Sequence, residues 1–237
     1  MAEFIGETII GLRELLTQGF RSLPVLLGNA ILVLGLAQGN FNLLFFFVGM
    51  FILTPVAVIL LNAGFEFLFA NILPESLQSL WLVANAGAPQ CAIFTTGATE
   101  DYALNGVPSL WMSMTLFFFF YLMVNAYDLY TRAENSKAPK LATDARKSQA
   151  IVSMVIVALT ALVFTILRYA TSCETAIGVV VSGLLSFGLA KGWFQFMRNC
   201  GMGRLDDIFG ISNRILPLQS YEAPPQVTCM EVPRTAS

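Results

Sequence analysis

Residues 3–21, EFIGETIIGLRELLTQGFR, place Phe4, Ile5, Ile9, Leu12, Leu16 and Phe20 on one helical face, with Glu3, Glu7, Arg13, Glu14 and Gln18 mostly opposite. This 3.6-residue period with a charged face predicts an amphipathic helix lying on a membrane surface. After Pro24 the pattern loses its polar face. VLLGNAILVLGLAQG is short for a span and rich in small residues, and residues 43–73 form one long apolar stretch interrupted by Thr54-Pro55 and by the lone acid Glu66. At 1.5 Å per residue that stretch exceeds about 30 Å of hydrocarbon, which calls for tilt, a kink at Pro55 or protrusion.

Residues 74–106 collect Pro, Gly, Thr and Asn and read as a loop, with Trp81 inside it and Trp111 just past it. Further spans are predicted at 108–130, 150–167 and 175–197. Between the first two of these, TRAENSKAPKLATDARKSQ (131–149) is polar enough to read as a second loop. From Pro217 the chain is Pro-rich and without hydrophobic period, so an extended or disordered tail is expected. The predicted class is all-α: a polytopic transmembrane bundle of about five spans plus the N-terminal amphipathic helix. The expected divisions are 1–22 (amphipathic helix), 23–200 (bundle) and 201–237 (soluble C-terminal segment).

Composition agrees with a bilayer as solvent. Only 12% of the 237 residues are charged and 56% are hydrophobic, against roughly a quarter charged in soluble domains. Mean hydropathy is +0.70. The net charge of −2 and the lack of a basic patch interleaved with aromatics give no reason to expect nucleic acid. Basic residues set the orientation. Loop 131–149 carries Arg132, Lys137, Lys140, Arg146 and Lys147, and Lys191, Arg198 and Arg204 flank the last span, whereas loop 74–106 has no Lys or Arg. Loop 131–149 and the C-terminus are therefore expected on the cytosolic side and loop 74–106 on the far side. Counting back through two spans puts the N-terminal helix on the far side too, against Arg13 and Arg21.

The chain has no histidine, which removes the usual general base, zinc ligand and phosphohistidine nucleophile together. Cys91, Cys173, Cys200 and Cys229 lack CxxC spacing, so neither metal nor cofactor is expected. Cys91 and Cys173 share the far side, where an oxidising compartment would permit a disulfide.

The far-side polar residues follow a spacing. Glu66 is followed by Leu73-Pro74, then by Pro108-Ser109-Leu110-Trp111, then by Leu167-Arg168, Glu174 and Gly178. This order resembles the type 2 phosphatidic acid phosphatase family, the haloperoxidase-like fold, with its signatures K-x6-R-P, P-S-G-H and S-R-x5-H-x3-D. The resemblance covers about residues 40–197 and implies that fold. It also implies a vestigial site of Glu66, Pro74, Pro108, Ser109, Trp111, Arg168 and Glu174. Glu66 replaces the basic residue that would bind phosphate, and Trp111 and Glu174 stand in place of the two histidines. Because phosphoryl transfer depends on cationic stabilisation and a positioned nucleophile, the resemblance implies an inactive centre. Arg168 is expected to pair with Glu66 or Glu174, unless each sits at a helix end and snorkels to water. Trp111 would plug the former site, or serve as an ordinary interfacial anchor.

PSLWM followed by a Phe-rich helix and NAYDLY also resembles membrane proteins of large double-stranded DNA viruses. That likeness implies a structural protein of the membrane inside a capsid. Its partners would be lipids and, through residues 131–149 and the C-terminal segment, capsid or core proteins. Three functions stay open at this point: a structural or scaffold membrane protein, a pseudophosphatase that still binds a lipid headgroup, and an active enzyme or transporter of another class. A transporter would show paired broken helices around a midplane site, whereas Pro55 and Glu66 have no counterpart in the second half.

Overall fold

The computed structural model describes residues 18–72, 91, 107–132 and 140–200. All regular structure among these residues is helical. We label α1 (Leu23–Gln38), α2 (Phe41–Val48), a π-helical turn (Gly49–Leu53), α3 (Thr54–Ile72), α4 (Leu110–Thr131), α5 (Lys140–Ala170) and α6 (Ala176–Asn199). Among the described residues four apolar stretches are long enough to cross a bilayer: Phe41–Phe67, Leu110–Thr131, Thr143–Ala170 and Ala176–Asn199. This is the architecture of a multi-pass membrane protein.

Helix α4 is the axis of the bundle, packed by α5, α6, α3 and α1. The four consecutive phenylalanines follow from that position. A helix buried all round needs apolar bulk on every face, and Phe117 and Phe119 are buried while Phe118 and Phe120 are half-buried. None of the four is fully lipid-facing. Phe46 stacks on Tyr121 with ring centroids 4.7 Å apart, and Phe119 on Phe164 at 5.9 Å. By contrast α5 turns Ile151, Val155, Leu159, Leu162 and Ile166 outward, as a lipid-exposed helix does.

The α4–α6 seam is built from small residues. Gly178, Ser182, Ser186 and Ala190 recur every four positions and all are buried, the spacing that lets two membrane helices approach closely. The two hydroxyls are also used, because an unsatisfied polar group in hydrocarbon is costly. Ser186 donates to the Ser113 carbonyl (2.9 Å), and Ser182 accepts from the Ser109 backbone N–H (3.2 Å).

The first two helices form a hairpin. Gly39 takes a left-handed φ of 59° and Asn40 caps α2 by accepting from Asn42 N–H, so the chain reverses within two residues. The long apolar stretch then meets Pro55. Proline has no N–H to offer the previous turn, and the helix widens into the π turn just before it. Thr54 donates both its N–H and its hydroxyl to the Gly49 carbonyl. Gly49 is also a point of close approach: a Cβ there would lie 2.7 Å from the Trp193 ring and 2.8 Å from Phe117. Trp193 in turn donates its indole N–H to the Phe45 carbonyl (3.0 Å).

Several sequence-level expectations are corrected. The segment after Pro24 forms a helix of 16 residues, and among the described residues four helices are long and apolar enough to cross a bilayer. Residues 140–149, expected in a loop, are the first turns of α5. Ala and long-chain residues favour a helix there, and Thr143, Arg146 and Ala150 turn one face inward. Ser109 is the N-cap residue of α4, and Pro108 precedes it. Asn125, near the end of α4, is buried. Of the N-terminal amphipathic helix only residues 18–21 lie among the described residues, and they are helical. The C-terminal segment lies outside them.

The seam supplies a test. Ser186→Leu should overpack the α4–α6 contact and lower stability by about 1–3 kcal/mol. Gly188→Leu, whose Cβ meets nothing within 4 Å, should leave it nearly unchanged. Thermal unfolding of both variants in detergent would show the difference, and equal melting temperatures would contradict the seam.

Candidate functional site

The start of α4, the end of α5 and the start of α6 meet at one end of the bundle. Each is terminated by a side chain that also belongs to the site. Ser109 has extended backbone angles, and its hydroxyl oxygen accepts from Met112 N–H at 3.2 Å, satisfying one of the free donors of the first turn. Thr175 does the same for α6, accepting from Gly178 N–H at 3.0 Å. Helix α5 stops where Ser172 enters the left-handed region at φ 56°. The N–H of Ser172 returns to the Tyr169 carbonyl and that of Cys173 to the Arg168 carbonyl. This tight reversal folds Glu174 back against Arg168, six residues earlier in the chain.

The result is a buried ion pair. Arg168 is 3% exposed and Glu174 4%, with Arg168 Nε 3.6 Å from Glu174 Oε1. The same carboxylate oxygen accepts from the Ser109 hydroxyl. Arg168 Nη2 donates to the Cys91 carbonyl at 2.6 Å, and its guanidinium lies 4.6 Å from the centre of the Trp111 ring, within cation–π range. Trp111 itself is 1% exposed and donates its indole N–H to the carbonyls of Arg21 (3.0 Å) and Phe20 (3.3 Å). It is therefore an internal packing residue, and the interfacial-anchor reading is set aside. The indole bonds also place the start of α1 level with the start of α4.

A disulfide closes the assembly: Cys91 and Cys173 are bonded. It ties the Cys91 carbonyl, which accepts from Arg168, to the turn that carries Glu174. Gly178 completes the fit, since a Cβ there would stand 3.2 Å from Glu174 Oε2 and 3.1 Å from Thr175 Oγ1.

Burial pushes the Glu174 carboxyl upward from its ordinary range, while the Ser109 hydroxyl and the Arg168 charge pull it back. The pair as a whole is neutral, and the Ser109 hydroxyl is committed to the carboxylate. Three polar atoms of the pair, Arg168 Nε, Arg168 Nη1 and Glu174 Oε2, are buried without a hydrogen-bond partner among the described residues. No group of three or more metal-ligating side chains occurs among the described residues.

Of the seven residues singled out in the sequence, Ser109, Trp111, Arg168 and Glu174 come together, and Pro108 stands beside them, one residue before the cap. Pro74 lies outside the described residues. Glu66 does not join: it is exposed, and the carboxylate paired with Arg168 is Glu174. Helix register explains this. The Gly49–Phe117 contact sets α2–α3 against α4; Glu66 lies about 25 Å past Gly49 along its helix, whereas Trp111 is only about 9 Å from Phe117. Sequence reasoning missed Ser182 and the backbone carbonyls of Phe20, Arg21 and Cys91. The hydrogen bond of Ser182 with Ser109 joins residues 73 apart in the sequence and leaves no local pattern.

No family model matches the chain, and comparisons with curated proteins and with solved structures find no match either.

The disulfide is directly measurable. In protein purified without reductant, a maleimide should label the exposed Cys200 and leave Cys91 and Cys173 unmodified until they are reduced, as read by peptide mass mapping. Labelling of Cys91 or Cys173 before reduction would contradict the pairing.

Proposed function

We propose that this chain is a non-catalytic structural or scaffold membrane protein whose polar far-end residues act as a clasp closing the bundle. The observation that carries this reading is the position of Glu174. Its carboxylate occupies the face of Arg168 that a substrate phosphate would need, and Trp111 covers another face of the same guanidinium. An incoming anion would have to displace a buried partner that is also held by Ser109, at a cost of several kcal/mol. The chain offers no histidine for a phosphoenzyme intermediate.

The likeness to the phosphatidic acid phosphatase core belongs to this proposal and rests on the convergence of the Pro108-Ser109 and Arg168-x5-Glu174 motifs. The narrower reading, a membrane inside a viral capsid, is supported only by the similarity of residues 108–130 to membrane proteins of large double-stranded DNA viruses. In that setting residues 131–149 and the C-terminal segment would meet capsid or core proteins. A second reading, a pseudophosphatase that retains a lipid headgroup, draws on one feature: Arg168 Nη1, buried without a hydrogen-bond partner among the described residues.

Purified protein in detergent is expected to release no phosphate from phosphatidic acid or diacylglycerol pyrophosphate above a heat-inactivated control. Release that disappears in Glu174→Ala would show that the carboxylate has taken over the chemistry, and would overturn the proposal. Retention of an anionic lipid that is lost in Arg168→Gln would favour the pseudophosphatase.

A further inference from the structure

Arg146 sits near the opposite end of α5 from Arg168, roughly 33 Å away along the helix. It is 3% exposed. Its Nη2 donates to the Arg132 carbonyl at 2.8 Å, and its Nε is buried with no hydrogen-bond partner among the described residues. The neighbouring cations share a carboxylate: Asp128 takes Arg132 at 2.6 Å and Arg198 at 3.0 Å. Arg168 has Glu174. Arg146 has no carboxylate partner among the described residues. A guanidinium withdrawn from water without an anion is unfavourable by several kcal/mol, so the site favours a negative charge that none of the described residues supplies.

There is room for one. Arg146 lines a cavity of about 210 Å³ between α4 and α5, together with Asn125, Gln149, Ser153, Leu122 and Ile156. Asn125 is buried and brings a second polar group to the same space. Most of the remaining wall is apolar. Ser153 and Ile156 are exposed on the outer, lipid-facing side of α5, so the cavity runs from a buried guanidinium to the hydrocarbon surface. Arg146 also lies three residues inside the Thr143 end of the candidate span, at the depth where headgroups meet acyl chains. The planar fork of an arginine matches phosphate oxygens, and basic pockets between helices at this depth suit anionic headgroups.

From this geometry we propose that the α4–α5 cavity binds one anionic phospholipid. Its phosphate would be held by Arg146 and Asn125, and its first acyl segment would run past Leu122 and Ile156. The site is separate from the Arg168 clasp and does not depend on how that end functions.

The test is native mass spectrometry of the full chain in detergent, exchanged into phosphatidylglycerol, phosphatidylcholine or inorganic phosphate. Wild type should keep one phosphatidylglycerol per chain through delipidation, at least tenfold more than phosphatidylcholine. Millimolar inorganic phosphate should not displace it. Arg146→Gln should reduce occupancy at least tenfold. Ser153→Trp, which plugs the cavity from an exposed position and leaves the arginine in place, should do the same without lowering the melting temperature, and it decides the matter if Arg146→Gln does not fold. Equal retention by wild type and Ser153→Trp would overturn the proposal. So would equal retention of the two lipids, or displacement by inorganic phosphate, which would mark a site for a soluble anion.

Discussion

A guanidinium held inside a membrane helix bundle must have an anion beside it, and Arg168 meets that requirement within the chain. Much of the far-end structure follows from this one pair. Glu174 reaches Arg168 because α5 ends at a left-handed Ser172 and the chain reverses at once. Ser109 caps α4 and holds the carboxylate with the same hydroxyl, so the start of one helix is fixed to the turn between two others. Trp111 lies against the guanidinium and holds the start of α1 through the Arg21 carbonyl. Cys91 supplies both the carbonyl that receives Arg168 and a covalent bond to the turn. Four segments distant in sequence are thereby joined around two charges.

Such a pair is weak evidence for stability as such, since apolar residues of equal volume can replace a buried ion pair without loss. Its value lies in geometry. The α4–α6 seam of small residues permits close approach but allows sliding, because its spacing repeats every four residues. The hydrogen bonds from Ser109 to Ser182 and Glu174 choose one register from that series. The other end of the bundle is held differently: Asp128 gathers Arg132 and Arg198 at partly exposed positions, where an ion pair is worth little.

The spans were legible in the sequence because four stretches are long, apolar and nearly free of charge. The Pro-Ser and Arg-x5-Glu spacing identified residues that do meet. Other parts were hidden for physical reasons. Residues 140–149 look like a loop because charge density masks an amphipathic helix whose buried face includes an arginine. The centrality of α4 could not be read from Phe117–Phe120, since an apolar run fits lipid and protein surroundings equally. Glu66 was assigned to the site by spacing along the chain, but whether it reaches Arg168 depends on the register set by Gly49, Phe117 and Trp193. That contact joins residues far apart in sequence and leaves no local pattern. The same holds for the Phe20 and Arg21 carbonyls, which any residue could supply.

The central claim is that Arg168 and Glu174 act as one unit closing the far end. A double-mutant cycle measures this directly: unfolding free energies in detergent for wild type, Arg168→Met, Glu174→Leu and the double variant. Each single change leaves a buried group unpartnered and should cost about 3–5 kcal/mol, while the double variant should recover a large part of that loss. A coupling energy of about 2 kcal/mol or more is the expected result. Additive losses, with coupling near zero, would mean that the two residues are held independently and that the clasp does not exist.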